Sequence, residues 1–141
     1  MLSLVDPDAR YHASWLDAQA EFAEAGEYQH GSGLTRDGES PEGRPCWYAA
    51  DLADPARFAA FVEFSRALRD PAYGRPYGYV ADTKRWAIDD GRYVGVCSLR
   101  HSLNDFLLEL GGHIGYSVRP SARRRGVASW MLGEAVAEAR A

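Results

Sequence analysis

The segment TKRWAIDDGRYVGVCSLRH, residues 83–101, constrains the fold more than any other part of the chain. Two runs rich in β-branched and aromatic residues are joined by Asp90-Gly91, a pair suited to the positive φ angles of a tight hairpin. An antiparallel strand pair is therefore expected here. A longer connection, SLNDFLLELGG, leads to HIGYSVRP, where Ile114, Tyr116 and Val118 share a face and Pro120 ends the run. Three sequential antiparallel strands make a meander.

The elements before the hairpin follow from spacing and caps. Leu2 and Leu4 alternate with polar neighbours, the mark of a short strand. After the turn chemistry of Asp6 to Asp8, Tyr11, Trp15, Ala18 and Phe22 fall at helical intervals, with Gly26 as C-cap. A second helix starts at Asp54-Pro55 and carries Phe58, Phe61, Val62 and Leu68 on one face. Between the helices, residues 27–46 are rich in Gly, Ser and Pro and show neither period, which suits either a substrate-side loop or a disordered segment. The connector DPAYGRPYGYVAD holds Tyr73, Tyr77 and Tyr79, which either line a pocket or pack the connector onto the body.

The chain's last helix places Val127, Met131, Leu132, Ala135, Val136 and Ala139 on one stripe. The order is strand, helix, helix, three strands, helix. That is an α+β class, a mostly antiparallel sheet flanked by helices. At 141 residues, without repeat or linker, the chain reads as one domain.

Composition excludes several functions. A net charge of -4 gives no general footprint for nucleic acid. Cys46 and Cys97 are too few for a disulfide framework and lack metal-ligand spacing, so no metal site is expected. The N-terminus has no basic and apolar signal regions, and no apolar run approaches the roughly 20 residues of a membrane span. A cytoplasmic protein without membrane contact is the expectation.

The chemistry is concentrated in VRPSARRRGVASWML. A helix N-terminus presents amides without intrahelical partners and partial positive charge, which suits phosphate. In Arg123-x-x-Gly126-x-Ala128 the small residues admit oxygens close to the backbone, and Arg123, Arg124 and Arg125 add charge at the rim. The plain alternative is a surface loop of solvated arginines.

The stretch GGHIGYSVRPSARRRGVASWML resembles the cofactor-binding core of the GNAT superfamily of acyl-CoA-dependent N-acetyltransferases. Upstream, the order of helices, hairpin and SLRHSLNDFLLELGGHIGY is similar to a branch of predicted acetyltransferases. Ala128 stands where a second glycine is commoner, and Arg124 where glycine is usual. The resemblance implies an acyl-CoA N-acyltransferase fold with acetyl-CoA as co-substrate and a small-molecule amine as acceptor. The backbone of Tyr116, Ser117 and Val118 would pair with the pantetheine arm. The amides of Arg124, Arg125, Gly126, Val127, Ala128 and Ser129 would hold the pyrophosphate. A bulge in the fourth strand would free an N–H to polarise the thioester carbonyl.

Direct attack requires a neutral amine, so a proton must be removed. His113 is the first candidate base, since it stands where relatives carry glutamate in EIGY, and Glu109 is the second. Each also suits a structural role, a packed strand histidine or a solvated carboxylate. Glu21, Glu24 and Glu27 either attract a cationic amine or form a solvated helix face.

The family fold continues past its third helix with further strands and a helix. The resemblance therefore implies a C-terminally incomplete domain over residues 1–141, with the fourth strand as an open edge. A longer chain or a homodimer completing the sheet would close it. The competing functions are a catalytically degenerate acyl-CoA-binding or protein-interaction module, and a nucleic-acid binder using Arg119 and Arg123 to Arg125.

Overall fold

The computed structural model describes residues 1–101 and 114–140. In chain order these form β1 (Leu2–Val5), α1 (His12–Ala25), α2 (Pro55–Ala67), the single turn α3 (Pro71–Gly74), β2 (Asp82–Asp89), β3 (Arg92–Arg100), β4 (Ile114–Val118) and α4 (Val127–Arg140). The four strands lie in the order β1-β2-β3-β4, every neighbouring pair antiparallel.

Local chemistry accounts for most boundaries. Asp90 and Gly91 take φ of 49° and 83°, so both central residues of the β2–β3 turn are left-handed, as a hairpin matched to strand twist requires. Gly26 ends α1 with φ 68°, and the Glu27 amide reaches back to the Phe22 carbonyl at 3.0 Å. Asp54 caps α2 by accepting from the Arg57 amide at 2.9 Å, ahead of Pro55. One element differs from the sequence expectation. The tyrosine-rich connector contains α3, because Asp70 accepts from the Ala72 amide and Pro71 is preset for a first turn.

The sheet is covered on both faces. Alternation in β2 sends Trp86 and Ile88 to one side and Ala87 to the other. On the first side α1 and α2 bring Trp15, Phe58 and Phe61 against Trp86, Tyr93 and Val96. The Phe58 ring lies 5.0 Å from Trp15 and 6.2 Å from Trp86. On the second side Val127, Met131 and Ala135 of α4 pack on Val94, Cys97 and Leu99. Burying each large side chain contributes about 1.5–3 kcal/mol, so the two aromatic and aliphatic layers dominate the stability of the domain.

The 27–46 segment contains no helix or strand, as its composition predicts, yet it is packed. Gln29, Ser32 and Leu34 are buried, and the Gln29 side-chain amide donates to the Tyr93 hydroxyl at 2.6 Å. Thr35 and Trp47 pair through backbone and side chain at 2.8 Å. Tyr73, Tyr77 and Tyr79 surround Phe64 at ring distances of 6.0, 6.2 and 6.3 Å, fastening the connector to α2.

The described part of the fourth strand shows no bulge against β3. β4 pairs with β3 in unbroken register from Ile114 to Val118. The register break falls instead between β2 and β3, where Ala87 faces Gly95 and Ile88 faces Tyr93, leaving Val94 as the extra residue. On the other side of β3, Gly95 admits the β4 backbone, since a Cβ there would come within 2.9 Å of the Ser117 carbonyl oxygen.

Candidate acyl-CoA site

The site is built where β4 leaves the sheet. Pro120 opens a 3-10 turn to Ala122, Arg123 is extended, and Arg124 and Gly126 take φ of 65° and 76° before α4 begins. Left-handed backbone at Arg124 is the conformation glycine adopts without penalty. Arg124 therefore keeps the loop geometry expected of glycine while carrying a guanidinium. The buried Val127 and Met131 fix the first turn of α4 against the sheet.

The turn is pinned from the far side by α1. Glu21 accepts from Arg119 Nε at 2.6 Å, from the Ser121 amide at 2.9 Å and from the Ser121 hydroxyl at 3.0 Å. Burial works to raise the Glu21 carboxyl, but these donors outweigh it and hold the group below its ordinary 4.5. Glu27 takes Arg123 Nη1 at 2.9 Å, and Arg123 Nε donates to the Val118 carbonyl at 3.1 Å. Glu21 and Glu27, which by sequence suit amine attraction or solvation, are instead clamps on the turn. Arg119 is 5% exposed and spent on Glu21, so it offers nothing to a nucleic acid.

Above the turn lies a cavity of about 380 Å³. It brings together Tyr116, Ser117 and Val118 of β4 with Arg123, Arg124, Gly126, Val127, Ala128 and Ser129. Arg125 is exposed and is not part of its lining. The opposite wall is Phe22, Glu27, Tyr28 and His30. His113 and Glu109 lie outside the described residues.

The lining suits a diphosphate-bearing ligand with an extended arm. Among the described residues no acceptor pairs with the amides of Arg124 to Ser129, and the first bond of α4 runs from Trp130 to Gly126. Among the described residues the Ser117 hydroxyl, in the same lining, is buried without a partner. Among the described residues a Cβ at Gly126 would meet nothing within 4 Å. Arg123 neutralises Glu27, and Arg124 has no carboxylate partner among the described residues, leaving the rim positive.

Comparison with known families settles the affiliation. A sequence model of the acetyltransferase (GNAT) family matches residues 41–141. The chain belongs to that family. No curated protein matches it.

GNAT membership carries acyl-CoA-dependent acetyl transfer as the general activity of the domain and accounts for its α+β sheet with helices on both faces. The match starts at residue 41, so the wall made by Phe22, Tyr28 and His30 lies outside it. Sequence reading missed these three as site residues. Phe22 reads as helix core, and Tyr28 and His30 stand singly in an aperiodic loop, where no spacing marks them. Among the described residues there is no cluster able to hold a metal, and no helix long and apolar enough to cross a membrane.

Proposed function

We propose that the chain binds acetyl-CoA along β4 and the turn into α4 and transfers the acetyl group directly to a small amine in the cytoplasm. The observation that carries this reading is the cavity at the turn. Its unpartnered amides, its left-handed Arg124 and Gly126 and its orphaned Ser117 hydroxyl meet in one place.

In this reading the amides of Arg124 to Ser129 receive the pyrophosphate, with Arg124 supplying charge at the rim. The edge of β4 from Tyr116 to Val118 receives the pantetheine arm as an added strand. When bound, acetyl-CoA supplies the activated acyl group. The acceptor nitrogen forms a bond to the acyl carbon, the carbon–sulfur bond breaks, the amine loses a proton and the thiolate gains one. A side-chain base takes the amine proton. His113 and Glu109 retain that role from sequence, and His30 is the imidazole that lines the described cavity. Among the described residues β4 pairs only with β3, so a homodimer closing the sheet would use the same edge.

Calorimetric titration with acetyl-CoA tests the reading on wild type, Gly126→Asp and Gly126→Asn. Both variants carry the same backbone strain, but only aspartate adds charge among the amides. Saturable binding that survives asparagine and fails with aspartate is expected. Equal affinity in all three overturns the phosphate cradle.

A further inference from the structure

A second cavity, of about 360 Å³, lies on the first face of the sheet between α2, the 78–80 connector and strands β2 and β3. Tyr28 lines both cavities, so the two are neighbours. The floor of the second is polar in a place where apolar side chains would pack as well. Lys84 Nζ donates to Asp82 at 2.6 Å, and the Ser98 hydroxyl donates to the other Asp82 oxygen at 2.6 Å.

Two groups on its wall are under-used. The Lys84 side chain is 5% exposed, yet among the described residues only Asp82 accepts from its three donors. Among the described residues the Ser65 hydroxyl has no partner, and Ser65 is 2% exposed. Buried donors left without acceptors are costly, which makes a bound anionic group a physical account of why both are kept. Asp82 offsets the charge of Lys84, and Arg44, stacked 4.7 Å from the Tyr79 ring centre, and Arg100 add two more cations to the lining. This balance suits an anionic group such as a carboxylate.

The register points from this floor to the proposed pantetheine edge. Lys84 stands opposite Ser98, and Ser98 stands opposite Gly115, next to Tyr116. Opposed residues share a sheet face, and two strand spacings separate Lys84 from Gly115 by about 10 Å. The loop above is cut to fit the same row, with Gly31 against the Gly115 backbone and Gly33 against the Lys84 side chain.

We propose that this second cavity is the acceptor pocket and that its ligand is an amine bearing a carboxylate, an amino-acid-like acceptor. Lys84 and Ser65 hold the carboxylate, Arg44 and Arg100 stand at the entrance, and the amine lies toward Tyr28, which this cavity shares with the cofactor cavity. This assignment rests on the acetyl-transfer reading for the role of the amine, but the pocket is testable without turnover.

The test is equilibrium binding of the twenty free amino acids to the chain by calorimetry, then of the best ligand's carboxamide and its decarboxylated amine. Acetyl-CoA is titrated in a separate experiment, so its failure speaks only against the cofactor reading. At least one amino acid is expected to bind, roughly tenfold or more tighter than its carboxamide, as loss of charge-assisted hydrogen bonds implies. Ser65→Ala removes an unpartnered hydroxyl and leaves folding intact, and Arg44→Gln changes an exposed side chain. Each is expected to weaken the amino acid several-fold while acetyl-CoA binding holds. Absence of binding by every amino acid, or equal binding of acid and carboxamide, or unchanged affinity in both variants, overturns the proposal.

Discussion

Glu21 of α1 and Arg119 at the exit of β4 are joined at 2.6 Å, 98 residues apart in the chain. The same carboxylate holds the Ser121 amide and hydroxyl, and Arg92 stands 3.6 Å away. One helix thereby sets where the strand turns toward α4, and so where the candidate cofactor cavity opens.

Glu21→Gln leaves the guanidinium of Arg119 buried without a counter-charge. Breaking fully buried pairs costs about 3–5 kcal/mol, and partial exposure of Glu21 brings the expectation to about 2–3 kcal/mol. The urea midpoint measures it. The folded carboxyl is held below its ordinary 4.5, so its contribution is complete above that value and is lost as pH falls through the lower folded value. The difference between wild type and variant should therefore shrink on acidification below about pH 4.5, and a difference that stayed constant would remove Glu21 as the cause.

Arg124→Gly should relieve left-handed strain of about 1–2 kcal/mol while adding about 0.5–1 kcal/mol of unfolded-chain entropy, for a small net gain in stability. Thermal melting reads the gain. Acetyl-CoA affinity should fall several-fold, and the loss should narrow as salt is raised, since a rim charge is screened. A variant that binds as well as wild type at low salt would take Arg124 out of the cradle.

Gly31→Ala places a Cβ 2.7 Å from the Gly115 carbonyl oxygen, at φ 79°. Overpacking against backbone and a left-handed alanine together predict destabilisation of about 2–4 kcal/mol. Denaturant unfolding checks the magnitude. Gly38→Ala, where a Cβ would meet nothing within 4 Å, shares the positive φ and should lose only the conformational part.

The two cysteines should separate by reactivity. Burial under α4 pushes the Cys97 thiol up to about 12, so it holds its proton at working pH. Cys46 is half-buried on the loop side. A thiol reagent at pH 8 should label one cysteine in the native chain and both after denaturation. Rapid native labelling of Cys97 would mean that α4 lifts from the sheet.

Much of the architecture was decided by short-range chemistry and is legible in the chain. Asp90-Gly91, Gly26 and Asp54-Pro55 each impose a local backbone geometry, so the hairpin and the ends of two helices follow from neighbouring residues. The turn from Arg123 to Ser129 is legible for the same reason, since strand, turn and helix are contiguous and a helix start always exposes amides. Tertiary structure decided what those residues meet. Nothing near Glu21 or Glu27 announces that their partners are Arg119 and Arg123, and spacing in a loop cannot show that Tyr28 and His30 face β4. Lys84, Ser98 and Gly115 become one row only when three strands adopt a common register. These relationships depend on contacts across tens of residues, set by the packing of α1 and α2 on the sheet, and sequence period carries no record of them.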